Sequence, residues 1–286
     1  MTYREKYFEL KKLNNTNLNN TVIKSLLMDD GDFSDFINLL NHFDDEIKDT
    51  KKLESNIARV IDGEPYQYVL GYAYFVNSNY VVSPDVLIPR QETEELAVAT
   101  LKMIVSTFGK EPKIKIVDIG TGSGILGIYL KEYFPKSEVI CTDISENSLK
   151  IAAKNAKLHN VEIEFRQGDS IKPILDEEEI SVIISNPPYI GDESTVSEQT
   201  LKWEPHLALF ASPKTKFYED ILSLIDSCVM STSFIMTFEI GEDMEEELTH
   251  IIETKYQGIA YKFEKDIYNK TRYLFIVKKE GISDVC

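Results

Sequence analysis

The segment Ser-Asn-Pro-Pro-Tyr at residues 185–189 carries the most informative chemistry in the sequence. It follows an apolar run that reads as a buried strand, and its prolines end that strand because proline has no backbone N–H. The Asn186 side chain and the Pro187 carbonyl offer acceptors, and Tyr189 offers an aromatic face. Two fixed acceptors can hold a planar, conjugated NH₂ and aim its nitrogen at an electrophilic methyl group, with bonds that strengthen in the transition state. The structural alternative is a plain Asn-Pro turn.

A glycine loop at residues 118–124, Asp-Ile-Gly-Thr-Gly-Ser-Gly, lies between a predicted strand and a predicted helix. Three glycines at alternate positions indicate a backbone that approaches a ligand closely, beyond the carboxyl end of a strand. Residues 122–127 also match the dinucleotide fingerprint, which is weak alone, and Gly127 could instead permit close helix-to-sheet packing. Asp118 could orient the loop or hold a cationic group. The loop residues expected to contact the ligand are Asp118, Gly120, Thr121, Gly122, Ser123 and Gly124.

Two further acidic residues follow predicted strands. Asp143 could accept hydrogen bonds from both hydroxyls of an adenosine ribose, which suits NAD and S-adenosylmethionine equally, or it could cap the helix near Ser145. Asp169, in Gly-Asp-Ser at residues 168–170, could accept from the exocyclic amine of adenine, although a plain turn competes. A hydride-transferring enzyme has no use for the residue 185–189 loop, so that loop favours S-adenosylmethionine over NAD.

Alternating strand and helix patterns from about Glu92 onward are expected to bring these loops to one edge of a sheet. Strands are predicted at 113–117, 138–142, 162–165, 180–184, 233–239, 261–264 and 273–277, and helices at 92–108, 125–134, 145–158 and 217–229. This alternation predicts an α/β fold with a doubly wound, Rossmann-like, mostly parallel seven-stranded sheet. The short connection around Asn269 predicts that the last strand is antiparallel.

The N-terminal part of the chain is expected to form a small helical domain at residues 1–66, followed by a β-hairpin linker at 67–90 and the main domain at 91–286. Apolar spacing predicts one helix face made of Phe33, Phe36, Ile37, Leu40 and Phe43, with Asp32 as its cap. A second predicted helix contains Ile57, Val60 and Ile61 and ends at Gly63 and Pro65. The hairpin is predicted from Tyr72, Tyr74 and Val76 alternating with Tyr80 and Val82 about a turn at residues 77–79.

The composition of the chain disfavours several classes of function. The 286 residues include 48 Asp and Glu against 31 Lys and Arg, a net charge of −17, which disfavours general nucleic-acid binding. Three distant cysteines, without a Cys-x-x-Cys pair, and four dispersed histidines predict no metal site and a reducing, cytoplasmic compartment. Residues 1–10 lack the apolar core of a signal peptide, and no apolar run approaches a membrane span, so no membrane association is expected. The cysteines are Cys141, Cys228 and Cys286.

Taken together, these segments resemble the peptide chain release factor glutamine methyltransferases. The resemblance extends from about Arg59 to Val277 and rests on the blocks at residues 63–71, 86–95, 118–124, 143–145, 185–190 and 204–209. It implies transfer of a methyl group from S-adenosylmethionine to the side-chain amide nitrogen (N5) of the glutamine in the Gly-Gly-Gln loop of class 1 release factors. It further implies S-adenosylhomocysteine as product, no metal, a monomer without direct nucleic-acid contact, and an N-terminal helical domain that docks the protein substrate.

The resemblance also assigns roles to individual residues. It implies that residues 120–124 surround the methionine and ribose, and that Asp143 with Ile144 holds the ribose. It places Asp169 and Ser170 beside the adenine. The residues expected to meet or enclose the target glutamine are Asn186, Pro187, Pro188 and Tyr189, with Asn186, Pro187 and Tyr189 as the catalytic set. Arg90, Glu92 and Glu94 are expected either at the mouth of the site or in a capped, ion-paired helix start.

The sequence departs from the family pattern at three places. Gln91 replaces a usual proline, the stretch at residues 211–217 replaces a glycine-rich one, and Glu239-Ile-Gly continues as Glu-Asp-Met, where a glutamine is common. Alternative functions are a glutamine methyltransferase of a ribosomal protein, an amino-group methyltransferase of DNA or RNA bases, and a module that binds S-adenosylmethionine without turnover. The net charge weighs against the nucleic-acid alternative.

Overall fold

A computed structural model describes residues 1–279, which form two compact units. One unit comprises Met1–Tyr72 with Ser197–Trp203, and the other comprises Ala73–Val196 and the described chain from Glu204 onward. Cys286 and the end of the expected 91–286 domain lie outside the described residues. Among residues 1–279, every helix is too short or too polar to cross a membrane.

The helices are α1 (Tyr3–Lys12), α2 (Asn20–Gly31), α3 (Phe36–Asn41), α4 (Thr50–Ile61), α5 (Tyr66–Leu70), α6 (Gln91–Phe108), α7 (Ile125–Tyr133), α8 (Glu146–Leu158), α9 (Glu198–Trp203), α10 (His206–Leu209), α11 (Lys216–Leu222) and α12 (Glu245–Lys255). The strands are β1 (Tyr72–Phe75), β2 (Ser78–Val81), β3 (Lys115–Ile119), β4 (Glu138–Asp143), β5 (Glu164–Gln167), β6 (Ile180–Ser185), β7 (Met230–Glu239), β8 (Ala260–Lys265) and β9 (Thr271–Lys278).

The first unit is helical, with a core made of one apolar stripe from each main helix. The helix predicted around Ile57 is confirmed as α4, which buries Ile57 and Val60 and ends just before Gly63. The short helix α5 occupies residues 66–70, which were expected at the junction with the hairpin. Representative core residues of this unit are Leu10, Ile23, Leu26, Leu27, Leu39 and Leu53.

The predicted helix face around Phe33 is wrong. Helix α3 begins only after Asp35, whose side chain accepts a hydrogen bond from the Asn38 backbone and so sets the start of the helix. Asp32 is instead the left-handed C-cap of α2, with φ of 54°. Because α3 has only six residues, it is too short to place the apolar residues from Phe33 to Phe43 on one helix face. As a result Leu39 is buried, whereas the predicted face residues Ile37 and Leu40 are exposed.

The hairpin of β1 and β2 opens the second unit, but its turn lies earlier than predicted. The turn consists of Val76, at φ of 53°, and Asn77, so the expected turn residue Ser78 already begins β2. The inward face of β1 also differs from the prediction, since Phe75 is buried while Tyr74 is exposed. Apolar residues occupy both faces of β1, so alternation in the sequence could not identify the buried one.

The seven-stranded sheet has the order β5-β4-β3-β6-β7-β9-β8. Strands β3 to β7 pair in parallel, and β9 pairs antiparallel with both of its neighbours. Helices cover both faces: α6 and α7 pack against one apolar cluster, and α11 and α12 pack against another. The prediction of a doubly wound sheet with an antiparallel last strand is therefore confirmed.

Most predicted boundaries differ from the observed ones by one or two residues, whereas β7 begins at Met230, three residues earlier than predicted. Strand β3 begins at Lys115 and β5 at Glu164, two residues later in each case than predicted. The helix predicted at 217–229 ends at Leu222 and continues as a 3₁₀ turn at Ser223–Asp226. There the Ser223 hydroxyl donates to the Asp220 carbonyl at 2.6 Å, a local bond that competes with helix continuation. Helix α12 was not anticipated.

Candidate active site

A cleft lies at the carboxyl edge of the sheet, where β3, β4 and β6 end. It encloses about 980 Å³ when the open solvent at its mouth is included. The predicted site residues that line the cleft are Gly120, Thr121, Gly122, Ser123, Asp143, Ile144, Ser170, Asn186 and Pro188. Residues not predicted also line it, among them Asp85, Pro89, Thr93, Thr142, Leu207 and Phe217.

The glycine loop needs its glycines for backbone conformation. Gly120, Gly122 and Gly124 have φ of 72°, 56° and 83°, which L residues rarely adopt. The backbone N–H groups of Gly120 and Thr121 both donate to the Thr142 carbonyl at 2.9 Å, which ties the loop to the end of β4. The loop thereby forms one wall of the cleft beside Asp143.

Gly127 has a packing role, as one of the two alternatives anticipated. It lies inside α7, and a Cβ added there would meet the sulfur of Cys141 on β4 at 2.3 Å. Only glycine lets the helix approach the strand this closely. The third glycine of the dinucleotide fingerprint is thus explained by helix-to-sheet packing, and it carries no information about the ligand.

Asp143 lines the cleft with both carboxylate oxygens already oriented. One oxygen accepts from the Gly122 backbone at 2.9 Å and the other from the Ser145 backbone at 2.8 Å. The cap of α8 is Ser145, whose hydroxyl accepts from the Ser148 backbone, so Asp143 is not the cap. Burial raises the pKa of Asp143, while these backbone N–H groups oppose the rise. Each oxygen keeps a lone pair for a further donor.

Asp118 lies beneath the glycine loop, fully buried. Its Oδ2 accepts from the Thr121 hydroxyl at 2.6 Å and from the Gly127 backbone at 3.0 Å. Its Oδ1 has no hydrogen-bond partner among the described residues. Desolvation raises the pKa of this carboxyl to about 7, against the lowering effect of both donors. The contacts of Asp118 therefore brace the loop, and one oxygen keeps unused acceptor capacity.

The far end of the cleft contains two buried hydroxyls without partners in the described chain, those of Thr142 and Ser170. Ser170 has a φ of 52° and follows Gly168, which also lines the cleft. Asp169, in contrast, is exposed and forms an ion pair with Lys172 at 2.6 Å. The structure brings Ser170 to the cleft but leaves Asp169 outside its lining.

The Asn-Pro-Pro-Tyr loop contributes Asn186 and Pro188 to the lining, while Pro187 is buried and Tyr189 lies behind the cleft wall. The Asn186 amide nitrogen donates to the Thr93 hydroxyl at 3.1 Å. The Tyr189 hydroxyl donates to a carboxylate oxygen of Glu239 at 3.1 Å. The loop is thus held by residues of two other elements, α6 and β7.

Glu239 ends β7 and is 2% exposed. Its second carboxylate oxygen accepts from the Thr93 hydroxyl at 2.7 Å, and its backbone carbonyl accepts from Tyr218 at 2.8 Å. Burial raises the pKa of Glu239, while the Thr93 and Tyr189 hydrogen bonds and the nearby charge of Arg272 oppose the rise. Sequence analysis assigned no role to Thr93 or Glu239. Thr93 stands within the block at residues 86–95 and Glu239 within the Glu-Ile-Gly stretch, so position was the only available signal.

Arg90, Glu92 and Glu94 lie at the start of α6 and outside the lining of the cleft. The Arg90 guanidinium pairs with the buried Glu204. The Glu92 carbonyl accepts from the Tyr273 hydroxyl at 3.0 Å, and the Glu94 carboxylate accepts from the Val76 backbone at 3.0 Å. Both acidic side chains stand in the first turn, where they complement the helix dipole. These contacts match the ion-paired helix start.

Asn155 is a positioning residue that the sequence analysis missed. It is fully buried in α8, and its side-chain oxygen accepts from the Val81 backbone at 2.7 Å. Its amide nitrogen donates to the carbonyls of Val81 at 3.0 Å and of Ser123 at 2.8 Å. One side chain thus joins the hairpin strand β2 to the glycine loop. Nothing in the sequence pattern distinguishes it from a surface asparagine.

Comparison with known proteins places the chain among methyltransferases. The family model for the methyltransferase small domain matches residues 94–203. A protein named release factor glutamine methyltransferase from Staphylococcus aureus is 38% identical over 225 residues, which cover 77% of this chain and 78% of that protein. A protein of the same name from Bacillus subtilis is 34% identical, and the match covers 74% of each chain.

Structural comparison agrees on the fold. The human methyltransferase 10 domain containing protein superposes with a TM-score of 0.50 at 14% identity, covering 70% of this chain and 88% of that one. Within residues 1–279, no group of three or more His, Cys, Asp or Glu side chains is arranged to hold a metal ion.

Proposed function

The chain belongs to the release factor glutamine methyltransferases, and from this premise we propose that it methylates the N5 amide nitrogen of the glutamine in the Gly-Gly-Gln loop of class 1 release factors. It is an S-adenosylmethionine-dependent methyltransferase. The observation that supports the proposal most is the position of Asn186. Its side chain lines the same cleft as the glycine loop, so one amide can face both the cofactor and a target NH₂.

The cleft residues fit S-adenosylmethionine. When bound, this cofactor supplies an electrophilic methyl group on a sulfonium and leaves as S-adenosylhomocysteine. We propose that Asp143 holds the two ribose hydroxyls, because both of its oxygens are oriented and retain acceptor capacity. The unpartnered hydroxyls of Thr142 and Ser170 and the open space above Gly120 and Gly122 support this fit.

The remaining cofactor contacts follow from the same lining. We propose that Gly120–Gly124 enclose the methionine and ribose, and that Ile144 and Ser170 border the adenine. Asp118 acts from below the loop, where its unpartnered oxygen suits a cationic group on the methionine side. Asp169 would first have to release Lys172 in order to contact the adenine.

At the transfer end, we propose that Asn186 accepts an N–H from the target amide through its side-chain oxygen. The backbone carbonyl of Pro187 would accept the second N–H. The proline ring fixes the backbone there and so holds this carbonyl in position. Pro188 and Tyr189 would enclose the glutamine side chain. These residues orient a weakly nucleophilic nitrogen, and both acceptors interact more strongly as positive charge develops on it.

The net charge of −17 supports a protein substrate without direct nucleic-acid contact. We propose a cytoplasmic monomer that is not membrane-bound and uses no metal. We also propose that the helical region at residues 1–66 docks the release factor, that 67–90 acts as a linker, and that 91–286 carries the chemistry. The ion-paired start of α6 at Arg90 and Glu92 would then support the site rather than contact the glutamine.

The test is transfer of a labelled methyl group from S-adenosylmethionine to purified class 1 release factors. One sample has the natural Gly-Gly-Gln loop and the other has alanine in place of its glutamine. We expect label only on the natural protein. Label on both would refute the proposed site. Label on neither, with cofactor binding verified by calorimetry, would redirect the assignment to ribosomal-protein glutamine or to the amino groups of nucleic-acid bases.

A further inference from the structure

A chain of hydrogen bonds runs from the end of β7 through α6 to the Asn186 loop. We infer that Glu239 and Thr93 are positioning residues, which fix the Asn186 amide with its oxygen as the acceptor for the target NH₂. This inference rests on the proposed function, because it concerns how that site distinguishes an amide from a carboxylate. The three residues belong to three different elements, so only the folded sheet brings them together.

The chain is buried at Glu239 and Thr93 and reaches the cleft at the half-buried Asn186. Thr93 is 3% exposed and Glu239 is 2% exposed, and the bonds measure 2.7 Å between their side-chain oxygens and 3.1 Å from Asn186 to Thr93. In such surroundings hydrogen bonds are stronger than in water, and an unmatched donor or acceptor is costly. The arrangement therefore has one strongly favoured pattern of donors and acceptors.

Counting protons gives the direction of each bond. The Thr93 hydroxyl donates to Glu239 at 2.7 Å, and this bond uses its single proton. The hydroxyl can then only accept from its other neighbour, so Asn186 must present its NH₂ group to Thr93. The carbonyl oxygen of the Asn186 amide consequently points away from Thr93. The orientation of this amide is thus consistent with the Thr93–Glu239 hydrogen bond.

Glu239 secures a second part of the same loop. Its other carboxylate oxygen accepts from the Tyr189 hydroxyl at 3.1 Å. The same buried carboxylate therefore holds both ends of the Asn-Pro-Pro-Tyr segment, Asn186 through Thr93 and Tyr189 directly. The Glu239 backbone is itself held by Tyr218, and Arg272 donates to the next carbonyl, that of Ile240, at 3.2 Å. The end of β7 therefore holds the loop of the transfer site at two points.

The orientation has a chemical consequence for substrate choice. With its oxygen as the available group, Asn186 matches the NH₂ of glutamine and repels the oxygens of a glutamate in the same place. If Thr93 could no longer accept, the amide would rotate more freely and present its NH₂ part of the time. We therefore expect loss of the Thr93 hydroxyl to lower kcat and to weaken discrimination between glutamine and glutamate.

The experiment compares Thr93→Val with Thr93→Ser and Thr100→Val. Valine matches threonine in shape but lacks the hydroxyl, and serine restores it. Thr100 is the matched control, because it is buried two turns later in α6 and its hydroxyl also contacts β7, at Thr237. Each variant is assayed for kcat with a release factor, for thermal unfolding, and by calorimetry with S-adenosylhomocysteine for affinity to loop peptides containing glutamine or glutamate.

We expect Thr93→Val to lower kcat about tenfold or more, a smaller loss than the 10²–10³-fold typical of removing a direct transition-state partner. The glutamine-to-glutamate affinity ratio should fall several-fold. Thr93→Ser should restore most of kcat and most of the affinity ratio. Thr100→Val should change kcat less than twofold. Equal kcat and equal peptide preference in Thr93→Val and the wild type would overturn the inference alone. An inactive wild type that binds cofactor would overturn the proposed function, and the inference with it.

Discussion

The backbone of Gly127 lies so close to Cys141 that a Cβ on the glycine would fall 2.3 Å from the cysteine sulfur. This contact sets the spacing between α7 and β4, the two elements that carry the glycine loop and Asp143 into the cleft. This contact adds to the hydrogen bonds of Gly120, Thr121 and Gly122 that tie the loop to the end of β4. The glycine is a determinant of site geometry although it lies outside the lining.

Gly127→Ala should destabilise the protein by about 1–3 kcal/mol, because overpacking a dense core forces side chains or backbone to shift. Chemical denaturation measures the change. Cys141→Ala in the same chain removes the sulfur and should recover more than half of that loss, a coupling that independent sites would not show. Purely additive effects of the two substitutions would contradict the role assigned to the contact.

Asn186→Ala should lower turnover by about 10²-fold or more, since it removes an oriented partner of the transition state. Cofactor affinity should change little, because the ribose and the loop are held elsewhere. Initial rates with a release factor and calorimetry with S-adenosylhomocysteine measure the two quantities. Asn77→Ala, in the exposed hairpin turn, is the matched control. Near-normal turnover in the Asn186 variant would exclude its proposed role.

Asp143→Ala should weaken S-adenosylmethionine binding by about 100-fold or more. Hydrogen bonds to a charged group contribute roughly 1.5–3 kcal/mol each, and the ribose would lose its acceptor. Asp169→Ala is the control, because Asp169 pairs with Lys172 and lies outside the lining. Calorimetry gives both dissociation constants. If the two variants bind alike, the ribose lies elsewhere.

The sequence predicted the sheet and the cleft well because both depend on local signals. Apolar strands, glycines that need a positive φ and the rigid Asn-Pro-Pro-Tyr loop each leave a mark in the pattern. Strand ends then meet at one edge by the geometry of a parallel sheet, so Asn186 and Asp143 could be expected to share a site. The same local cues failed at α3, where a single cap, Asp35, overrode a long apolar repeat.

The support of the site could not be predicted, because it depends on contacts distant in sequence. Asn155 and Val81 are 74 residues apart, and Thr93 and Glu239 are 146 residues apart. Neither residue type nor spacing indicates such pairs before the fold is known. Polar residues that are buried and act through others are therefore the part of an active site that one sequence reveals least.

Asn155→Ala should destabilise the protein by about 2–4 kcal/mol, because it leaves the Val81 backbone groups and the Ser123 carbonyl without their buried partner. It should also weaken cofactor binding, since Ser123 belongs to the glycine loop. Urea denaturation and calorimetry provide the measurements. Asn38→Ala, in the other compact unit, should leave cofactor affinity unchanged. Loss of stability with unaltered affinity would mean that the loop does not depend on Asn155.

Asp118 predicts a distinctive pH dependence of stability. Desolvation raises the pKa of its carboxyl to about 7 from an ordinary value of 3.8, so between these values the folded state retains a proton that the unfolded state has lost. The stability that this group contributes is full below pH about 4 and is lost as pH rises through about 7. Asp118→Asn has no such proton. Its free energy of unfolding, relative to the wild type, should therefore increase from pH 5 to pH 8, by at most about 3 kcal/mol.

Thr121→Val provides the companion measurement, because it removes the hydroxyl that donates to Asp118 and lowers the pKa of that carboxyl. Its loss of stability should continue to a higher pH than in the wild type, since a folded carboxyl without this donor holds its proton longer. Urea denaturation at intervals of half a pH unit resolves both effects. Curves for Asp118→Asn and the wild type that stay parallel from pH 5 to pH 8 would show that the buried carboxyl does not titrate in this range.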